Sequence, residues 1–164
     1  MKKNNILSQK EGIFYEGIVT LQQFNKNKKL KKSVTIKNSG DTGLLKFLGY
    51  AFSTDFSNIS LYCPYAIKGY DGEDKDKESF NDPIPIRSTP TFEITNNTVI
   101  ITFIFDIPYY LLKNNVSHLD LINKLPSNNP ESLCASIDFS SDNIISKDAT
   151  LTNVIYWTLN FNIN

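Results

Sequence analysis

The chain has 164 residues, 40% of them hydrophobic and 12% aromatic, with 17 basic against 17 acidic side chains. This composition is ample for a folded core and excludes wholesale disorder, while the zero net charge argues against a surface that binds nucleic acid or membrane throughout. The total conceals a split: residues 1–50 have ten Lys and three acids, net +7, and residues 51–164 have seven Lys or Arg and fourteen acids, net −7.

The beginning of the sequence predicts no signal peptide, because residues 2–9 hold only two apolar side chains ahead of Lys10 and Glu11. No stretch approaches the roughly 18 apolar residues of a membrane span, so we expect no membrane partner. Cys63 and Cys134 are too few for a cysteine-stapled scaffold, and nothing indicates an oxidising compartment. Free thiols are therefore favoured over a single disulfide.

The first half of the chain predicts a hairpin followed by a helix. Residues 12–24 and 30–37 are rich in β-branched and aromatic side chains, and the polar residues 25–32 between them predict a turn. Asp41 or Thr42 can then cap a helix. An apolar stripe at helical spacing follows, formed by Leu44, Leu45, Leu48, Ala51 and Phe52. We expect one amphipathic helix near residues 41–54, packed across a sheet.

The second half predicts further strands. Residues 58–67 and 133–139 are short candidates, and the prolines between 83 and 90 predict an extended, edge-like stretch. Residues 99–107 are apolar on both faces, which predicts a central strand. Residues 151–163 alternate apolar with polar, a pattern typical of a half-buried strand. With about seven short strands and no βαβ rhythm, the sequence predicts a single mainly-β domain over 1–164, an antiparallel β-sandwich or flattened barrel.

Signs of catalysis are weak. Asp41-Thr42-Gly43 matches the aspartic-protease triplet, but it leads directly into the predicted helix, so we interpret Asp41 as a helix cap. His118 is the single His of the chain, and no nucleophile-elbow motif accompanies it, so a surface or strand-packing role is favoured. We therefore predict no catalytic residues and no enzyme.

Metal and cofactor sites are also not indicated. Two distant Cys and one His do not supply a zinc site. The charged loop at 71–82 has carboxylates but lacks the Gly that an EF-hand needs at its sixth position, so a solvated acidic loop is favoured over calcium binding. No glycine-rich phosphate loop occurs. We predict no metal and no cofactor.

Three surface features remain as a candidate interface: a basic hairpin tip, the acidic loop and a tyrosine pair. The tip has three interpretations, a solvated turn, a docking point for an acidic protein, or a phosphate contact; the last is disfavoured because the tip has no Arg and few aromatics. Tyr109 and Tyr110, with Tyr62, Tyr65 and Tyr70, suggest a stacking surface for sugars. The candidate interface residues are Lys26, Lys28, Lys29, Lys31, Lys32, Asp71, Glu73, Asp74, Asp76, Tyr109 and Tyr110.

Two stretches of the sequence carry a family resemblance. The first runs from Gly17-Ile-Val-Thr-Leu through the basic tip to Asn38-Ser-Gly-Asp-Thr-Gly-Leu-Leu-Lys-Phe-Leu-Gly-Tyr-Ala-Phe. It resembles the opening of small virion proteins of tailed bacteriophages, especially podoviruses of the crAss-like and related gut groups. The second comprises Val116-Ser-His-Leu-Asp-Leu, Ser132-Leu-Cys-Ala-Ser-Ile-Asp-Phe, Ile144-Ile-Ser-Lys and Leu151-Thr-Asn-Val-Ile-Tyr-Trp-Thr-Leu-Asn-Phe, and it is similar to the tail-collar and fibre-attachment pattern. Asp120 and Ser136 depart from it, standing where the family tends to have Gly and Arg.

The resemblance implies a structural role in the virion, as a collar, tail-ring, head-fibre or fibre-attachment subunit. The partners it implies are copies of the chain and other virion proteins. Together with the charge split, it suggests that the basic tip faces acidic loops, such as residues 71–82, of a neighbour. A carbohydrate-binding β-sandwich is the main alternative, with a glycan as its ligand. A DNA-contacting plug is a third possibility and would bind DNA in a strongly salt-dependent way.

Overall fold

The computed structural model of the chain describes residues 13–40, 43–46, 64–72, 79–80, 86–123 and 132–163. Residues 43–46 are helical, and short 3-10 turns lie at Tyr109–Leu111 and Ser141–Asn143. The strands of this part of the chain are β1 (Ile13–Asn25), β2 (Leu30–Gly40), β3 (Ala66–Tyr70), β4 (Ile86–Arg87), β5 (Thr91–Ile94), β6 (Thr98–Pro108), β7 (His118–Ile122), β8 (Leu133–Asp138) and β9 (Leu151–Ile163).

The strands form two antiparallel sheets. Their order is β4-β3-β7-β8-β2-β1-β9-β6-β5. The first sheet comprises β2, β1, β9, β6 and β5, and the second comprises β4, β3, β7 and β8, which the last residues of β2 join by pairing Ser39 with Ser136 and Gly40 with Ala135. The sheets do not close into a barrel. The predicted antiparallel sandwich is therefore confirmed, and the flattened-barrel alternative is wrong.

The open side of the sandwich lies between β4 and β5, the two outermost strands, which are neighbours in sequence. Only residues 88–90 separate them. Ser88 N donates to Tyr65 O (3.0 Å) at the second sheet, and Ser88 Oγ accepts from Ile104 N (2.9 Å) at the first sheet. On this open side, the two sheets are connected by residues 88–90 and by the two hydrogen bonds of Ser88, not by paired strands.

The core lies between the two sheets. Because successive side chains of a strand point to opposite faces, the alternation in residues 151–163 directs one set inward. Ile155, Trp157 and Leu159 of β9 are fully buried, as predicted, and they pack with Phe103 and Phe105 of β6. Leu119 and Leu121 of β7 provide the opposing layer.

The prediction for β6 was half wrong. Its inner face is buried, as expected, but the strand lies second from the edge of the first sheet rather than at the centre. Ile104 on the outer face is 44% exposed. An apolar side chain on a strand does not require a covering layer, since much of any protein surface is apolar.

The structure tests three further predictions: the edge-like stretch before residue 90, the strand at 58–67 and the helix near 41–54. The edge-like stretch before residue 90 contains β4, which lies at a sheet edge as expected. The strand predicted over 58–67 is out of step with β3, which begins at Ala66; residues 58–63 lie outside the described residues. Of the predicted helix, residues 43–46 are described and helical, with Leu44 buried, and the rest lies outside the described residues. The single-domain assignment stays a prediction.

Candidate interaction surface

The strand register brings several connecting segments to one end of the sandwich. Asn25, the last residue of β1, pairs with Leu151, the first of β9, and Thr152 pairs with Pro108 at the end of β6. In the second sheet His118 at the start of β7 pairs with Tyr70 and Asp138, the last residues of β3 and β8. Segments 26–29, 71–72, 109–117 and 139–150 therefore meet at this end, which we call the loop end.

A tight turn forms the basic tip at the loop end. Asn25 Oδ1 accepts hydrogen bonds from the backbone N–H groups of Asn27 (3.0 Å) and Lys29 (2.9 Å), and Lys28 N donates to Asn25 O (2.8 Å). Lys28 has a φ of 57°, in the left-handed region. Asn is well suited to this position because its short side chain bonds the backbone of a following turn. The lysines of the tip are therefore held on an ordered turn.

Two of the five tip lysines are engaged by the chain itself. Lys32 Nζ donates to the backbone oxygen of Asp142 in the second 3-10 turn. Asp148 accepts hydrogen bonds from the hydroxyl and N–H of Thr150, which lower the pKa of Asp148, and the charge of Lys26 lowers it further. These contacts place acidic residues of the second half of the sequence beside the basic tip.

The other three tip lysines have no such partner in the described part of the chain. Lys28, Lys29 and Lys31 are exposed and form no ion pair with a described residue. The charge split along the sequence therefore does not divide the folded chain into two halves, since β1 and β2 lie between β8 and β9. In the folded chain, the excess of positive charge in the first half of the sequence appears as a small cationic surface at the loop end, formed by Lys28, Lys29 and Lys31.

Tyr109 and Tyr110 lie at the same end, in the 3-10 turn after Pro108. They are 43% and 64% exposed, and their rings meet edge to face with 6.0 Å between centroids and an interplanar angle of 80°. Because the rings are nearly perpendicular, they do not form one flat platform. Tyr70 is buried, and Tyr65 lies at the opposite end of β3 under the Arg87 guanidinium, at 5.5 Å. Tyr62 lies outside the described residues, and the expected five-tyrosine cluster does not form among the others.

The acidic loop begins at the loop end too. Asp71 is exposed and directly follows β3, and Gly72 N donates to Ser117 Oγ (2.6 Å). Gly72 has a φ of +75°, which glycine tolerates without cost. Glu73, Asp74 and Asp76 lie outside the described residues. Of the predicted interface residues, the structure thus brings Asp71, the two tyrosines and the tip lysines to one end.

A buried polar pair, which the sequence analysis missed, fastens the loop end to the first sheet. Gln23 and Asn153 are adjacent on β1 and β9, and Gln23 Nε2 donates to Asn153 Oδ1 (2.9 Å). Gln23 Nε2 also reaches the Ile144 carbonyl (3.4 Å), and Asn153 Nδ2 reaches the Ser146 carbonyl (3.3 Å). Asn153 occupies an inward position of β9, and alternation alone would have suggested an apolar residue there.

His118 is held between two carboxylates on the second sheet. Its Nε2 lies 2.7 Å from Asp120 Oδ1 and its Nδ1 lies 2.6 Å from Asp138 Oδ1, while Ser136 Oγ donates to Asp120 Oδ1 (2.9 Å). The hydrogen bond to Asp120, and then that to Asp138, raise the pKa of His118 above its usual value, and burial opposes them. Both ring nitrogens face carboxylates, so this arrangement favours the imidazolium and leaves no nitrogen to act as a general base.

The arrangement is therefore that of a strand-packing His, the role that the sequence favoured. The serine bonds the carboxylate rather than the imidazole, which is not the order of a nucleophilic triad. Among the described residues, no group of three or more His, Cys, Asp or Glu side chains, His118 with its two carboxylates included, has an arrangement that could hold a metal ion. Cys134 is buried, with its sulfur 3.8 Å from Ser132 O, and Cys63 lies outside the described residues.

Of the protease-like triplet, Asp41 and Thr42 lie outside the described residues, and Gly43 begins the helical residues 43–46. No helix in the described part of the chain is long and apolar enough to cross a membrane. Comparison with known proteins adds no relative: the chain matches no family model, no curated protein and no solved structure.

Proposed function

We propose that the chain is a non-enzymatic structural subunit of a tailed-bacteriophage virion that works by protein–protein assembly. Its place would be a collar or tail ring, a head fibre or a fibre-attachment site, and its partners copies of itself and other virion proteins. The virion setting rests on the sequence resemblance alone. The assembly role rests on the loop end of the folded chain.

One observation supports the assembly role above all. The fold gathers exposed Lys28, Lys29 and Lys31, which form no ion pair with a described residue, with Tyr109 and Tyr110 at one end of the sandwich. Exposed Tyr side chains are enriched at protein interfaces. Charges across an interface steer encounter and fix register, and apolar contacts supply most of the affinity. A surface that combines both suits docking onto an acidic neighbour.

The charge of the tip can be tested directly. We expect Lys28→Glu, Lys29→Glu and Lys31→Glu together to impair incorporation of the chain into particles, because the reversed tip would repel an acidic partner. Changing Lys2, Lys3 and Lys10 to Glu alters the net charge equally at sequence positions that precede β1 and is the matched control. Unimpaired incorporation of the tip variant would overturn the electrostatic mechanism.

The virion setting has a separate test. Mass spectrometry of purified particles should detect the chain at a stoichiometry of several copies, as expected of a symmetric ring or fibre base. If the chain is missing from particles whose other structural proteins are all detected, the virion setting is wrong. The assembly role would then need another partner.

A carbohydrate-binding module is the second candidate, because Tyr110 exposes more than half of its surface at an end built from loops. An aromatic face of this kind can stack on a sugar ring. Binding of the purified chain on a glycan array, abolished by Tyr109→Ala with Tyr110→Ala and kept by the lysine-tip variant, would favour this role over assembly. An array without a hit would exclude it for the glycans displayed.

A further inference from the structure

The edge strand β5 leaves apolar side chains uncovered on the core-facing side of the first sheet. β5 pairs with β6 alone among the described strands, with Phe92 opposite Ile101 and Ile94 opposite Val99. Ile101 is 7% exposed, but Phe92 and Ile94 are 60% and 77% exposed. The side chains that continue the inner face toward the edge thus meet solvent instead of the second sheet.

The backbone of the same two residues also faces outward. Thr95 N donates to Thr98 O (2.9 Å), so these residues form a hydrogen-bonded pair where β5 turns into β6. Hydrogen-bonded and non-hydrogen-bonded pairs alternate along an antiparallel ladder. Glu93 and Thr91 therefore bond to β6, whereas the N–H and C=O groups of Phe92 and Ile94 point away from it. An edge with outward backbone groups and apolar side chains is a template for another strand.

We propose that a second copy of the chain docks on this edge, with β5 pairing antiparallel to the partner's β5 about a twofold axis. The first sheet would then continue through the interface into the second copy. This self-pairing goes beyond the proposed function, because it requires neither a virion nor the basic tip.

The backbone geometry limits the register of the pairing. Outward-facing residues must lie opposite each other, so Phe92 can face the partner's Pro90, its Phe92, its Ile94 or its Asn96. The first choice sets Phe92, and the second sets Ile94, against the partner's Pro90, which has no N–H to donate. The fourth choice pairs Ile94 with the partner's Ile94 but sets the apolar Phe92 against a polar Asn96. Pairing Phe92 with the partner's Ile94 makes two apolar pairs and keeps both residues' backbone groups bonded.

The favoured register has one unfavourable contact, which makes it testable. It sets Glu93 directly opposite the partner's Glu93 on the outer face, where like charges destabilise a strand pair. A second copy suits this edge because the segment complements itself: apolar Phe92 and Ile94 alternate with polar Thr91 and Glu93. Such a twofold contact is closed, so it yields a dimer rather than a fibre.

Sedimentation equilibrium of the purified chain tests the proposal. We expect a reversible dimer at concentrations up to about 100 µM, the range in which weak interfaces of small area are measured. Ile94→Pro should weaken it at least about tenfold, because it removes an outward N–H without touching the ladder to β6. Glu93→Gln should tighten the dimer by about two- to fivefold, since it removes the like-charge pair. Ile104→Thr, on the outer face of β6, is the matched control and should leave the dimer unchanged.

A cross-link tests the register. In a Cys63→Ser background, Glu93→Cys should form an intermolecular disulfide on mild oxidation, because residues facing each other in a non-hydrogen-bonded pair come close enough for one. Thr91→Cys should not, since it lies opposite the partner's Thr95. A wild-type chain that is monomeric throughout the concentration range overturns the proposal, as does a dimer that Ile94→Pro, folded by circular dichroism, leaves intact. Cross-linking through position 91 rather than 93 overturns the register.

Discussion

Asp138 lies directly opposite His118 across the β7–β8 ladder, with 2.6 Å between its Oδ1 and the imidazole Nδ1. Asp120 bonds the other ring nitrogen, and the two carboxylates raise the pKa of His118 in the folded chain. A group whose pKa is raised on folding stabilises the fold fully below its unfolded pKa, about 6.5 for His. That stability is lost as the pH rises through the folded pKa.

We therefore expect His118→Gln to lower the free energy of unfolding more at pH 6 than at pH 9, because Gln bonds without titrating in this range. Urea unfolding of both proteins at several pH values between these limits measures the difference. If the difference in unfolding free energy between wild type and variant is constant with pH, the pKa of His118 is the same in the folded and unfolded chain, and the prediction is wrong.

The two carboxylates beside His118 should differ in their contribution to stability. The Asp120 side chain is 8% exposed and accepts hydrogen bonds from His118 and Ser136, whereas that of Asp138 is 84% exposed. Asp120→Asn removes the buried carboxylate charge that faces the imidazolium, leaving only the exposed Asp138 to balance it, and should cost about 2–4 kcal/mol. Asp138→Asn breaks an exposed pair and should cost about 0.5 kcal/mol. Denaturant unfolding at pH 6 compares them; equal losses would contradict the burial argument.

Gly17 should not tolerate a side chain. A Cβ atom there would lie 1.8 Å from Asn38 Oδ1 and 2.4 Å from the Tyr15 hydroxyl oxygen, both packed over this residue of β1. Gly17→Ala should therefore destabilise the fold by about 1–3 kcal/mol through overpacking. Combining it with Asn38→Ala should cost less than the sum of the two single changes, as measured by a double-mutant cycle. Strict additivity would mean that the backbone, not Asn38, absorbs the clash.

The stability of the tip should respond differently to changes at two positions of its turn. Asn25→Ala removes the acceptor of two backbone hydrogen bonds and should cost about 0.5–1.5 kcal/mol. Lys28→Gly relieves the left-handed conformation of Lys28, which costs a non-glycine residue about 1 kcal/mol, and should be neutral or slightly stabilising. Thermal unfolding of the two variants decides this; a large loss for Lys28→Gly would mean that its side chain holds the turn.

The sequence predicted the long strands well and the short ones poorly. Residues 12–24, 30–37 and 151–163 are long enough for period-two alternation to show, and they match β1, β2 and β9, except that β2 continues past residue 37 to Gly40. β4 has two residues and β5 four, too few for any period, and their pairing follows from the tertiary fold. Ile104 misled the prediction because an outward apolar residue gives the same pattern as a buried one.

The candidate surfaces, too, could be predicted only where their residues lie close together in sequence. Residues near in sequence, such as the tip lysines and Tyr109 with Tyr110, could be found as local patterns. His118 and Asp120 alternate on one strand and so share a face, which the sequence shows, but Asp138 reaches them only through the register of β8. Likewise, nothing local indicates that Gln23 meets Asn153, or that Phe92 and Ile94 lie beyond the cover of the second sheet.

The pairing of β1 with β9 has a consequence for the order of synthesis. β1 pairs along its full length with a strand that begins at Leu151, whereas β2 follows it at once. During translation at about 5–20 residues per second, the β1–β2 hairpin would wait roughly 6–25 s for its second neighbour. Throughout that interval Val19 and Leu21, fully buried in the finished fold, lack the strand beside them. The hairpin thus leaves core side chains of β1 without one neighbouring strand until β9 has been synthesised.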